Sequence, residues 1–316
     1  VQDVMTGINR IYFHPIFDPH ALDSTVIFAI AARKARVEAI VQMGQWLASP
    51  DHHSLGTRQA WLSDRLFRLL PDTAHTAVIP GYFADNYLQL IPLASQLGLF
   101  PFPTGAGRNA PPSNEDIARV AVAALLSPHQ HDRQAYRPTG PTLLDAKDIA
   151  AAMGEALGRK VTHIDAPIWL FMKAVRLSAK RLGADLFYQS SLRHTLPEQK
   201  LGSWAHGAPT THVRDVTGTE PEDFLTIARR YAQNPLAQRT PTNFIRQFSE
   251  FMATPFIPQH RLDRFDRKQQ HPRTAHPLFA GQSNTWRNEM NTWWGRKTMD
   301  DTDQSSASKE VTVNTG

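Results

Sequence analysis

Along residues 8–79, short β-branched and aromatic runs alternate with longer segments of helical periodicity. Ile8–His14 predicts a strand, stopped by Pro15. In His20–Arg36, Leu22, Val26, Ala29 and Ile30 recur at helical spacing. Val37–Met43 predicts a second strand, closed by Gly44, and Thr57–Leu70 a helix with Trp61, Leu62, Leu66, Leu69 and Leu70 on one face. His75–Ile79 predicts a third strand, ended by Pro80-Gly81. Strands alternating with helices of this length imply parallel βαβ units.

The next stretch keeps this rhythm with clearer helix ends. Ser113 is placed to cap a helix over Ile117–Leu126, with Asp116 in its first turn. Asp145 is placed to cap Ala146–Leu157, and Gly158 to end it. Lys160–Ile164 reads as a short strand. Pro167 opens a helix running over Ile168–Leu182 to Gly183, and Thr219 is the expected cap of a helix holding Phe224, Ile227, Ala228 and Tyr231. Beyond Ala232 no period is sustained, so 233–299 reads as an irregular arm. Within it, Ser283–Lys297 is a candidate helix with Trp286, Met290 and Trp293 at i, i+4 and i+7. That stripe suits either docking on the protein's own core or contact with a membrane surface or partner. Residues 300–316 are almost devoid of apolar side chains and are expected to be disordered.

Composition narrows the function classes. The 316 residues contain no cysteine, which excludes disulfides, thiolate metal sites and a cysteine nucleophile. Hydrophobic residues make up 41% and charged residues 20%, as in ordinary globular domains. The net charge of +5 comes from 34 basic and 29 acidic residues without a long basic run, so no nucleic-acid partner is expected. No run approaches the roughly 20 apolar residues of a spanning helix, and no basic start marks a secretory leader. A cytoplasmic location is the resulting expectation.

Four stretches in order resemble the NmrA-like family of atypical short-chain dehydrogenase/reductases. Thr76–Asn86, with Pro80-Gly81-Tyr82-Phe83 and Asn86, is similar to the family's strand ending in Arg-Pro-Gly-x-Phe-x-x-Asn, with Ile79 in place of the Arg. Ser113–Ala118 resembles its Asp-Ile-Ala helix start. Thr139-Gly140-Pro141 with Asp148-Ile149-Ala150 resembles the following unit, and Val216–Pro221 its closing Thr-Gly-x-x-Pro. The resemblance covers residues 5–232 and implies a Rossmann-like α/β fold, NAD(P) as cofactor and a small quinone- or carbonyl-type substrate.

The family's opening strand and Gly-x-x-Gly-x-x-Gly turn have no counterpart here, and Ile8–His14 corresponds to the family's fourth strand. The expected architecture is therefore α/β, an incomplete doubly wound parallel sheet with a smaller substrate-side lobe and the irregular arm, as domains 1–232, 233–299 and 300–316. Gly105-Ala106-Gly107 is followed by Pro111-Pro112 rather than a helix, so it does not read as a phosphate cradle. No Tyr-x-x-x-Lys occurs between Val37 and Thr76. Besides an oxidoreductase, the resemblance admits a non-catalytic redox-sensing regulator or a fragment of a longer reductase gene. The unpartnered edge along Ile8–His14 predicts self-association.

By this resemblance the cofactor-binding candidates are His14, Pro15, Pro80, Gly81, Tyr82 and Phe83, and Asn86 is the substrate-side candidate. For His14-Pro15 the alternative is a strand terminator with a surface histidine. For Phe83 and Asn86 it is a core ring and a helix cap. His52-His53 do not read as a metal pair, because adjacent loop residues rarely converge on one ion. Arg58 reads as a solvated helix charge or as a basic residue of the site.

Overall fold

The computed structural model describes residues 5–292. Four parallel strands form the main sheet in the order β1 (Arg10–Phe13), β2 (Ala39–Met43), β3 (Ala74–Val78) and β5 (Ala135–Tyr136). A second, two-stranded parallel sheet joins β4 (Leu99–Pro101) to β6 (Thr162–Ile164). The crossovers and flanks are α1 (Ala21–Lys34), α2 (Leu55–Arg68), α3 (Ala84–Leu88), α4 (Ile91–Leu97), α5 (Asn114–Leu126), α6 (Ala146–Ala156) and α7 (Ile168–Leu177). They continue as α8 (Ala179–Leu182), α9 (Leu186–Thr195), α10 (Pro197–Lys200), α11 (His212–Thr217) and α12 (Phe224–Ala232), then α13 (Pro241–Ala253), α14 (Leu262–Lys268) and α15 (Asn284–Thr292). The parallel α/β reading of the sequence is what the chain adopts.

β2 is buried along most of its length because helices cover both faces of the sheet. Ile40 packs with Phe67 and the aromatic group Phe13–Phe28 on one side, while Val41 packs with Ile117, Val120 and Ala124 of α5 on the other. The larger core lies in the second lobe, where Phe100, Phe102, Tyr87, Ile149 and Met153 close around β4 and β6.

Several helix ends form as their side chains dictate. Ser113 accepts from the Asp116 N–H at 3.0 Å. Asp145 and Asp148 make a reciprocal capping box, and Gly158 follows α6 with φ +58°.

Other expectations give way to tertiary packing. The cap of α12 is Asp223, which accepts from Thr226 N–H at 2.8 Å, and not Thr219, whose N–H is taken by Thr217 Oγ1. Pro167 precedes the first turn of α7, and Ser178 separates α7 from α8 in the segment read as one helix. In α2 the buried positions are Thr57, Gln59, Ser63, Asp64 and Phe67, while Leu62 and Leu69 are exposed. Of the predicted stripe Leu70 is buried and Leu66 packs beside it, but Leu62 and Leu69 stay out because α1 crosses α2 through small side chains, with Thr25 Oγ1 3.4 Å from Ser63 Oγ. In α1 likewise, Val26, Ile27 and Ile30 are exposed and the alanines are buried.

The outer edge of β1 has no neighbour among the described residues, and exposed Val26 and Ile30 of α1 and Val122 and Leu126 of α5 lie to either side of it. In the segment read as an irregular arm, α13 and α14 form. Trp286 and Met290 of α15 are buried against Trp46 and Ile79, as the docking reading expects. Trp293 and residues 300–316 lie outside the described residues.

Candidate functional site

The carboxyl ends of β1, β2 and β3 open onto one cavity of about 370 Å³, the edge where open α/β sheets gather ligands. All seven residues singled out from the sequence line it: His14 and Pro15 after β1, Pro80, Gly81, Tyr82 and Phe83 after β3, and Asn86 in α3. Asn86 is not a helix cap, since α3 begins after Phe83, while Phe83 is half-buried, both lining the cavity and packing against the Val78–Ile117 core. Sequence reasoning missed Gln45 and Trp46 after β2, Gln59 and Ser63 of α2, Tyr188 and Ser191 of α9, and Trp204. Only their position after a strand could have flagged Gln45 and Trp46. The α9 residues arrive from 140 residues downstream without a local signal.

The loops are held by main-chain bonds that extend the sheet. Gly44 N–H donates to Val78 O at 2.7 Å, Ile79 N–H to Tyr136 O at 2.7 Å and Gly81 N–H to Pro138 O at 3.1 Å. A Cβ at Gly44 would stand 2.7 Å from Ile79 Cγ1, so glycine lets the first loop lie against the third strand.

Trp46 is fixed on several sides. Its indole N–H donates to Ser203 O at 3.0 Å, and its carbonyl accepts from the Trp286 indole at 2.8 Å. The Arg137 guanidinium stacks 3.7 Å from its ring centroid, and burial pulls the Arg137 pKa down to about 9. Tyr82 and Trp204 continue the wall, with ring centroids 5.0 Å apart.

The polar groups are few and neutral. Burial raises the pKa of the Tyr82 and Tyr188 hydroxyls, so both are protonated at neutral pH. Gln45 Oε1 and Gln59 Oε1 are buried and have no hydrogen-bond partner among the described residues. Two orphaned acceptors beside a ring-lined wall match a flat ligand that brings N–H or O–H donors. They fit the carboxamide end of a nicotinamide.

They do not fit a diphosphate. The lining contains no Lys or Arg, and Asp18 is its one formally charged residue besides the titratable His14. The Gly105–Gly107 turn is no substitute. A Cβ at Gly107 would sit 1.7 Å from Gln199 O, so this glycine serves close packing against the end of α10.

Two other sequence candidates lie elsewhere. His52 is fully buried against Glu198 at 3.0 Å, and His53 stacks on His194 at 5.4 Å between centroids. No cluster suited to a metal ion occurs among the described residues. Arg58 is partly buried and does not line the cavity. It donates to the carbonyls of His52, His53 and Pro272, bracing the loop before α2.

No protein-family model matches the chain. An NAD(P)H azoreductase of Xenophilus azovorans is 34% identical over 130 residues, 41% of this chain and 40% of the azoreductase, so the chain spans well under half of that relative. A festuclavine dehydrogenase of Aspergillus fumigatus is 26% identical over 230 residues, 72% of this chain and 76% of the dehydrogenase. Among solved structures, an NADPH-dependent quinone oxidoreductase of Escherichia coli complexed with NADPH superimposes with a TM-score of 0.61 at 16% identity, covering 72% of this chain and 78% of that one. NmrA, a negative transcriptional regulator in complex with NADP, superimposes with a TM-score of 0.51 at 15% identity over 72% and 75%. No helix among the described residues is long and apolar enough to cross a membrane. The chain thus has the Rossmann-like α/β fold of NAD(P)-dependent reductases and of NmrA.

Proposed function

We propose that this chain serves NAD(P)(H)-dependent reduction of a small planar acceptor of the quinone or carbonyl type, as a relative of the NmrA-like short-chain reductases. The observation that carries this reading is the cavity itself. It lies at the carboxyl ends of three parallel strands, walled by Trp46, Tyr82 and Trp204, with two unpaired amide oxygens. The names of the azoreductase and quinone oxidoreductase relatives support it.

A nicotinamide, when bound, supplies a hydride. The chain's own residues do the rest. His14, Pro15, Pro80, Gly81, Tyr82 and Phe83 would frame the ring, Gln45 and Gln59 would accept from its carboxamide, and Asn86 would lie on the acceptor side. The Tyr82 and Tyr188 hydroxyls, kept protonated by burial, would donate hydrogen bonds to an acceptor oxygen as it gained negative charge. The apolar wall limits water around that oxygen. The diphosphate finds no built donor set in this lining, and no step is assigned to it.

Calorimetric titration of NADPH and NADH, with NADPH consumption followed across a quinone panel, tests the reading. Micromolar binding with turnover supports it; no heat at millimolar dinucleotide overturns it. A second reading, a ligand-sensing regulator, is favoured by the lack of any Lys or Arg in the lining. Binding without turnover on any acceptor selects that reading.

A further inference from the structure

Helix α13 is mounted with its polar side inward. Gln247 is buried, and Asn243 Nδ2 donates to the carbonyls of Pro235 and Gln238 at 2.9 Å each. Its apolar side faces outward: Phe244 is 45% exposed, Ile245 65%, Phe248 47% and Met252 52%, and the following turn presents Phe256 at 83%. A helix docked on a protein core has the opposite arrangement. Five large apolar side chains in one stretch exceed what scattered surface residues explain.

The surroundings are predominantly basic. Lys173 Nζ donates to Pro255 O at 2.6 Å and Arg176 to Pro258 O at 2.5 Å, which joins the outward side of α7 to the Phe256 turn. Trp169 of α7 is 50% exposed, with Lys173 Nζ 5.2 Å from its ring centroid. A groove beside Trp169 is lined by His260, Arg261, Arg264 and Arg267, and by Asp263, which pairs with Arg193. Residues 168–183 and 239–261 together hold seven Lys or Arg and a single acidic residue, Glu250, which pairs with Arg181.

We propose that the outward face of α13, the Phe256 turn and α7 form a site of peripheral attachment to a bilayer carrying anionic lipids. The aromatic and aliphatic side chains enter the boundary between headgroups and acyl chains, Trp169 sits at headgroup level, and Arg246, Arg261 and Arg264 meet the lipid phosphates and carboxylates. Charge decides between this surface and a second copy of the chain. A two-fold contact through this face would set the basic rim against itself, whereas an anionic membrane complements it.

The test is flotation of the full chain with phosphatidylcholine vesicles, with and without about one-third phosphatidylserine, at roughly 0.1 M and roughly 1 M salt. Expected is at least tenfold stronger binding to the phosphatidylserine vesicles, lost at high salt. Phe244→Gln/Phe248→Gln is expected to reduce it about tenfold, and Arg246→Gln and Arg264→Gln about fivefold each, with unchanged circular-dichroism melts. Ile27→Lys, on the opposite lobe, is expected to leave it unchanged. The arginine variants keep the test open if the phenylalanine pair impairs folding. Absence of flotation, equal flotation of the variants, or a solution dimer that Phe248→Gln converts to monomer overturns the proposal, the last by identifying a protein occupant.

Discussion

His52 Nε2 and Glu198 Oε1 meet at 3.0 Å, both side chains wholly buried, and join the loop before α2 to α10. His52 Nδ1 accepts the Ser54 N–H at 3.0 Å, which leaves the ring proton on Nε2 to donate to the carboxylate. Glu198 also accepts from Ala280 N–H at 2.5 Å and from the Ser203 hydroxyl. One buried carboxylate thus ties three distant segments behind the cavity. His52→Ala strands it short of a donor and is expected to cost about 3 kcal/mol. Chemical denaturation compared with wild type checks this, and a loss below about 1 kcal/mol would show the network to be slack.

Acid stability follows from three other histidines. Burial lowers the pKa of His75 to about 3, of His194 to about 3 and of His212 to about 4. Each is neutral when folded and protonates on unfolding, so its stabilising contribution is full above the unfolded value near 6.5 and is lost as pH falls toward the folded one. Asp64, raised to about 6 by burial, has the opposite sign: its contribution is lost as pH rises from about 4 through 6. The histidines outnumber it, so stability is expected to fall between pH 6.5 and 5. His75→Leu is expected to reduce that slope by up to about 1.4 kcal/mol per pH unit. Melts across pH 4.5–7.5, a range set roughly by those pKa values, give the slope; an unchanged slope refutes the assignment.

Gln45 and Gln59 offer the sharpest test of the ring-binding assignment. Gln45→Leu and Gln59→Leu remove the unpaired oxygens without adding charge. Each is expected to weaken nicotinamide dinucleotide binding roughly three- to tenfold, the worth of one neutral hydrogen bond. Calorimetry measures it, and unaltered affinity would move the carboxamide elsewhere.

The β1 edge and the exposed Val26, Ile27 and Ile30 call for self-association. Light scattering is expected to show mass rising with concentration, and Ile27→Lys/Ile30→Lys to suppress it. A concentration-independent monomer would contradict this.

How much the sequence discloses depends on whether the cause is local. β1, β2 and β3 and the caps at Ser113 and Asp145 are legible because backbone and neighbouring side chains decide them, whereas the two-residue β5 carries no strand pattern of its own. His14, Tyr82 and Asn86 are legible as cavity-lining residues, since they follow strands whose carboxyl ends open onto that cavity. The faces of α1 and α2 are misread because close helix crossing selects small side chains over leucines. α13 escapes notice because its apolar face is not its buried face. Gln59, Tyr188 and Trp204 join the cavity only through tertiary closure.

The bond from the Trp286 indole to the Trp46 carbonyl spans 240 residues. During synthesis Trp46 emerges early, Arg137 and Ser203 follow, and the last of its supports arrives only with α15. Helices α1, α2 and α5 can close on the sheet long before that, so the scaffold precedes its ligand wall. A nascent chain stopped before Trp286 would carry the strands of the site with the Trp46 carbonyl lacking its indole donor. The wall of the cavity is thereby finished late in the life of each molecule, by the last described helix.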